Sequence, residues 1–322
     1  MRLAILDNNF PSTKDFSRFF EIKEFIRVLG YKNIKIYTEN INHPAVCQYK
    51  DYICDISEFE ESQNNYDCVY SYDPRLLMER RIKIPYFYDI PSLCFDNELD
   101  YRTFEQIYSK LAGASAVFVY DKLLNKYAHW LGLNSYWVPR SVDTDIFKFE
   151  KKKFMTPQLN MLIYDNINSD PRQHDLIKTM LKSFKNPWDL NLVHYTAPVS
   201  AIKKAFSEAH ICLQLSYIHS GKLDAFPSTF LISAMASGCV GLANNDHGNN
   251  THILFDRVHY FRIDDSPEYY EYTANGIIKI IKYIDQRREK LERVSEDGSK
   301  AISKYFNLNI VNHKLSVLNN LG

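Results

Sequence analysis

The stretch DAFPSTFLISAMASG, Asp224–Gly238, carries the clearest chemical signal in the chain. Pro227 ends a polar loop, and Ser228 and Thr229 stand where a helix would begin. The first turn of a helix has N–H groups with no intrahelical partner. With two hydroxyls beside them, they form a site for an anion such as a diphosphate. The helix then turns small and apolar at Ala234, Met235 and Ala236, and Gly238 stops it before a new strand. The competing reading is a capped core helix with no ligand. A second stretch, YDNINSDPRQHDLI (Tyr164–Ile177), runs from a strand end through a polar loop to a helix that starts near Arg172. A cation there suits the same diphosphate, although a lone arginine more often ends up solvated.

Other titratable groups are weaker signals. The triplet Asp143-Thr144-Asp145 has D-x-D spacing, which can hold a metal, but it follows a strand directly and reads better as a structural turn. Ten histidines show no metal-ligand spacing, and His219 and His247 flank the Asp224–Gly238 stretch. The six cysteines are scattered and never spaced C-x-x-C, which argues against a zinc site or a disulfide framework and for a reduced, cytoplasmic protein. No metal is expected.

These residues need a scaffold. The 322 residues are enough for about two domains. Apolar residues make up 45% and charged residues 24%, so the chain is globular, and no apolar run is long enough to cross a membrane. Thirty-nine basic and 39 acidic residues cancel, which argues against a nucleic-acid partner. Short apolar runs alternate with amphipathic stretches. Strands are expected at residues 2–7, 34–37, 67–72, 86–88, 116–119 and 136–138, with helices at 12–29, 98–111 and 123–131. FKFEKKKFMTP, Phe147–Pro157, reads as a polar linker. Beyond it the alternation resumes, and residues 267–321 are helical by pattern. The expectation is an α/β chain of two doubly wound, Rossmann-like domains, 1–150 and 151–322, with a ligand cleft at the strand C-termini.

The stretch FPSTFLISAMASG with the following CVGLANNDHGNNTHIL resembles the donor-binding segment of the family 4 glycosyltransferases, which have the GT-B fold. SYDPRLL (Ser71–Leu77), ASAVFVYDKLLNKYAHWLGL (Ala114–Leu133), VPRSVDTDIFKF (Val138–Phe149) and RQHDLI (Arg172–Ile177) resemble further family segments in the same order, over roughly residues 70–255. The chain departs from the pattern at several places. Ser233 stands where the family has the second of two glutamates, the one that holds the donor ribose. Asp224 lies near the place of the first, Asn166 stands where an arginine is usual, and Ser141 replaces the junction glycine.

The resemblance implies a retaining, metal-independent transferase that moves a sugar from a nucleotide-sugar donor to a glycan or lipid-linked acceptor hydroxyl. The first half would hold the acceptor and the second the donor, with the last helices returning to the first domain. Arg172, Lys222, Ser228 and Thr229 are then the candidates for the diphosphate, Asp224 for the sugar hydroxyls, and Asn166, Pro227 and Ser233 complete the donor set. Asp73 and Asp89, at strand ends of the first half, would orient or deprotonate the acceptor hydroxyl. The simpler reading of both is a loop-capping aspartate. Loss of the glutamate at Ser233 supports an alternative of another class, a non-catalytic nucleotide-sugar or glycan binding protein. A nicotinamide-dependent oxidoreductase would need glycines after the first strand, and residues 7–14 have none. ERRIK (Glu79–Lys83) and KFEKKKF (Lys148–Phe154) could touch an anionic membrane weakly but read better as solvated surface.

Overall fold

The computed structural model describes residues 1–12, 16–90, 92–94, 109, 111–120, 122–165, 188–194, 198–214, 222–224, 227–243, 253–263 and 270–322. The chain forms two compact units. One comprises Met1–Ser141, Gly221–Ala225 and Leu308–Gly322; the other comprises Val142–Ser220 and Phe226–Asn307.

The first unit is built on β1 (Leu3–Leu6), β2 (Ile34–Thr38), β3 (Ile53–Asp55), β4 (Cys68–Ser71), β5 (Tyr86–Ile90), β7 (Ala116–Val119) and β8 (Ser135–Trp137). They form one parallel sheet in the order β3-β2-β1-β4-β5-β7-β8. Alternate side chains point to opposite faces of a strand, and here both faces are buried. Leu3, Ile5, Ile36, Tyr70 and Phe118 serve one core; Ala4, Leu6, Val69, Tyr88 and Val119 serve the other. A fully buried parallel sheet therefore reads as continuous apolar runs, as LAIL and AVFV do. The helices of this unit include α1 (Phe16–Leu29), α2 (Phe59–Ser62), α3 (Pro74–Met78) and α4 (Lys122–Trp130). The strand order reverses between β1 and β4, and a doubly wound sheet receives its ligands at the strand C-termini beside such a switch.

In the second unit β9 (Leu159–Asp165), β10 (Trp188–His194), β11 (Ile211–Gln214), β13 (Val240–Ala243) and β14 (Tyr260–Arg262) form a parallel sheet ordered β10-β9-β11-β13-β14. Its switch lies between β9 and β11. Its helices include α5 (Val199–Glu208), α6 (Thr229–Ala236), α7 (Tyr270–Asp285) and α8 (Leu291–Tyr305). Every residue of α6 is buried, which explains its lack of a polar face.

Two features depart from the sequence expectation. Residues 147–157 are not a solvated linker. Phe147 and Phe154 are buried, and the Lys152 ammonium donates to the carbonyls of Phe206 (2.9 Å) and Ser207 (2.7 Å) at the end of α5. Two carbonyls without helical partners make that ammonium a C-terminal cap. The chain first passes from one unit to the other at Ser141–Val142. In addition, β6 (Ser92–Cys94) and β12 (Lys222–Asp224) form a separate antiparallel pair, with Asp224 opposite Ser92 and Lys222 opposite Cys94. The last helix, α9 (Ile310–Leu321), belongs to the first unit, where Val311, Leu315 and Leu318 join the core under β1 and β4. The helix expected at 98–111 lies almost wholly outside the described residues. Among the described residues, no helix is long and apolar enough to cross a membrane.

Candidate functional site

In the second unit the sheet switch and the start of α6 meet. Ser228 is the N-cap, with extended backbone, and its Oγ accepts from the Leu231 N–H at 3.2 Å. The same Oγ donates to Gln214 Oε1 (2.7 Å), which also takes the Ser228 N–H (3.1 Å). Gln214 ends β11, so one side chain ties the helix start to the sheet beside the switch. One turn apart on α6, Thr229 and Ser233 present hydroxyls that are buried and have no hydrogen-bond partner. Buried polar atoms without partners are uncommon and mark places where a water or ligand completes the bonding. The helix start combines N–H dipoles, a locked cap and these two hydroxyls, a set that can hold an anionic or hydroxyl-rich ligand. Of the other donor-site residues expected from sequence, Pro227 is buried just before the cap. Lys222 and Asp224 lie in β12, and Asn166 and Arg172 fall outside the described residues.

The first unit contains a cluster that the sequence reading did not find. Lys314, on α9, has no exposed surface. Its ammonium lies 2.9 Å from Glu21 Oε2, 3.1 Å from Asp89 Oδ2 and 2.8 Å from Tyr70 Oη. The rings of Tyr70, Tyr72, Phe118 and Tyr120 surround it at 5.3–5.7 Å. Asp89 also accepts from the hydroxyls of Tyr70 and Tyr120, and Glu21 from those of Tyr72 (3.2 Å) and Ser141 (2.6 Å). Burial pushes the Asp89 carboxyl up, and the Lys314 charge offsets this only in part. Burial alone would lower the Lys314 ammonium, but Asp89 and Glu21 outweigh it and hold the group above its ordinary value. Burial also raises the phenols of Tyr70, Tyr72 and Tyr120 well above their usual range, so they remain neutral donors. The sequence did contain a signal. Lys314 falls on the apolar stripe of Val311, Leu315 and Leu318, where a charge must find a partner.

The two expected acceptor-side aspartates have different environments. Asp89 is 1% exposed and is held by three donors. Asp73 caps α3 and forms an ion pair with Arg75 at 2.6 Å. Burial pushes the Asp73 carboxyl up, but bonds from the Arg75 side chain and N–H bring it below the usual carboxylate range. Asp73→Ala is therefore expected to cost about 1 kcal/mol at pH 7, the usual cost of a lost cap. A carboxyl with a depressed folded pKa stabilises above its unfolded value and loses that effect as pH falls through the folded one. Urea unfolding should accordingly show the deficit shrinking below about pH 4. The D-x-D triplet is a turn: the Asp143 carboxylate takes the N–H groups of Asp145 (2.9 Å) and Ile146 (3.1 Å).

No family model and no curated protein matches the sequence. Solved structures do. Sucrose-phosphate synthase from Thermosynechococcus elongatus has a TM-score of 0.71 at 12% identity, over 99% of this chain and 98% of that one. The lipopolysaccharide outer core galactosyltransferase WaaB has a TM-score of 0.64 at 11% identity, over 99% of both chains. An alpha-glucosyltransferase in complex with UDP-glucose and DNA containing an abasic site has a TM-score of 0.59 at 11% identity, also over 99% of both. At these identities the likeness is one of fold, and the fold of this chain is that of the GT-B glycosyltransferases.

Proposed function

We propose that the protein is a glycosyltransferase of the family 4 type. In this reading it moves a hexose from a nucleotide-sugar donor to a hydroxyl of a glycan or lipid-linked acceptor, with retention and without a metal. The observation that carries the reading is the start of α6, where a locked Ser228 cap and the unpartnered Thr229 and Ser233 hydroxyls stand beside the switch of the second sheet. Transfer requires the leaving diphosphate to be stabilised as charge develops on it. Preorganised N–H groups and hydroxyls do this without reorganising during the reaction. Asn166 and Arg172 complete the donor set, Arg172 as the cation. On the acceptor side Asp73 orients the hydroxyl, because a carboxyl held below its ordinary range is a weak base. Asp89, enclosed among its donors, supports the site from below.

Because UDP-glucose is bound in one structure of this fold, UDP is the first nucleotide to test. UDP and UDP-sugars are expected to raise the melting temperature equally with and without a chelator, since a ligand of the folded state stabilises by mass action. A shift abolished by the chelator would overturn the metal-free part of the reading, and no shift with any nucleotide would overturn the donor site. A second reading rests on Ser233: a lone hydroxyl offers one weak contact, which fits a non-catalytic nucleotide-sugar binding protein. Saturable binding with no release of UDP against a panel of acceptors would favour it.

A further inference from the structure

Two buried polar atoms of the first unit have no hydrogen-bond partner. One is Trp137 Nε1, at the end of β8, and the other is Asn125 Oδ1, on α4. Both residues are half-buried. An indole N–H or an amide oxygen left unpaired inside a protein costs about 1–3 kcal/mol, unless a water or a ligand completes the bonding. The Trp137 ring itself is engaged, with the Lys122 ammonium 4.6 Å from its centroid.

The two atoms lie along one seam. Alternate residues of a strand share a face, so Ser135 and Trp137 are on the same side of β8. Lys122 and Asn125 stand about one turn apart on the same side of α4. The Ser135 hydroxyl donates to the Asn125 carbonyl at 3.4 Å, and Lys122 meets Trp137, so the helix descends as the strand rises. Helix side chains lean toward the helix N-terminus, which carries the Asn125 amide from the level of Ser135 toward Trp137. An indole donor and an amide acceptor thus serve the same short stretch of the seam, with a cation at its upper end. The stretch lies at the C-terminal end of β8, on the ligand-receiving edge of a parallel sheet. β8 is the last strand of that sheet, three strand spacings beyond β4, which puts it about 14 Å from the switch.

We propose that the seam between α4 and β8 is a carbohydrate subsite that holds one sugar of the acceptor away from the reacting hydroxyl. The proposal rests on the glycosyl-transfer reading above and deepens it by making the acceptor an oligosaccharide. A sugar hydroxyl accepts from Trp137 Nε1 and donates to Asn125 Oδ1 through a single oxygen. A carboxylate only accepts, and it would repel the amide oxygen. An ammonium only donates, and it would meet the Lys122 charge. A peptide amide separates its donor and its acceptor across a rigid plane. The distance from the switch is longer than one sugar, so the subsite anchors the chain and does not touch the reacting atoms.

The test is calorimetric titration of the full chain, with and without UDP. The probes are maltotetraose, cellotetraose and chitotetraose, each against its own monosaccharide and against glycerol. At least one tetrasaccharide is expected to bind, and to bind about tenfold more tightly than its monosaccharide, because it also reaches beyond the subsite. Trp137→Phe, which keeps a ring but removes the N–H, should weaken that binding about tenfold, the scale of a lost hydrogen bond to a buried group. Asn125→Leu, of similar shape but without the acceptor, should weaken it to the same extent. In the absence of saccharide Asn125→Leu should leave the melting temperature unchanged or raise it, since an unpartnered amide oxygen contributes no bond to the fold. A clear fall in its melting temperature would mean that a buried water already completes the amide, and would overturn the proposal. Failure of every saccharide to bind, equal affinity for tetrasaccharide and monosaccharide, or binding that survives both substitutions would also overturn it. UDP binding without saccharide binding would overturn this inference and leave the function reading standing. Saccharide binding through Trp137 and Asn125 without UDP binding would keep the subsite and overturn the transferase reading.

Discussion

Lys314→Met should cost the protein about 3–5 kcal/mol of stability, the usual penalty for removing one partner of a buried ion pair. The lysine is enclosed with two carboxylates, at 2.9 Å from Glu21 and 3.1 Å from Asp89, all three at most 1% exposed. Methionine replaces the aliphatic stem well, so the loss is electrostatic rather than a cavity. Two carboxylates would then face one another without a cation, and the hydroxyls of Tyr70, Tyr72, Tyr120 and Ser141 cannot supply the missing charge. The variant should therefore take up a proton in the folded state. A carboxyl whose folded pKa is raised above its unfolded value gives stability that is present at low pH and lost as pH rises through the folded pKa. Denaturant unfolding should thus show a larger deficit at pH 8 than at pH 5. Asp89→Asn in the same background should recover part of the loss, since it removes one of the two unpaired charges. A deficit below 1 kcal/mol, or one that does not change with pH, would mean that the cluster is already neutral in the native protein.

Gly238→Ala is the second large effect expected, at about 3 kcal/mol. Gly238 follows α6 with φ of +90°, a conformation that side chains rarely adopt. Space is lacking as well. A Cβ there would lie 2.3 Å from the Glu150 carbonyl oxygen, a backbone atom that a rotamer change cannot move. Glu150 is fixed to the helix end because its N–H donates to the Ser237 carbonyl at 3.3 Å. Backbone strain and overpacking therefore add. In the reading proposed above the Thr229 and Ser233 hydroxyls of α6 hold the donor, so UDP affinity should fall together with the midpoint of unfolding. Loss of stability with unchanged UDP affinity would separate the helix terminus from the site.

Much of this architecture was legible in the sequence, and the reason is local. Runs such as LAIL and AVFV, separated by amphipathic segments, announce parallel strands buried on both faces. Pro227, Ser228 and Gly238 bound α6 by their own backbone and capping preferences. β3 was harder to see because Ile53, Cys54 and Asp55 are only three residues at the sheet edge, none of them fully buried. The segment 147–157 misled because its lysines look solvated one by one. Phe147 and Phe154 face the core, and Lys152 reaches carbonyls more than 50 residues away in sequence.

The sequence by itself determined most of the core strands and helices, their alternation and the helix start that suits an anion. Each of these follows from side-chain periodicity and backbone preference within a few residues. Only the tertiary structure decided which charges are enclosed and which reach solvent. Lys314 meets Glu21 and Asp89 across 293 and 225 residues, and Ser17 meets Ser141 across 124. The physical reason is that the state of a titratable group depends on the dielectric and the partners around it. Those are supplied by chain segments whose proximity no local pattern records.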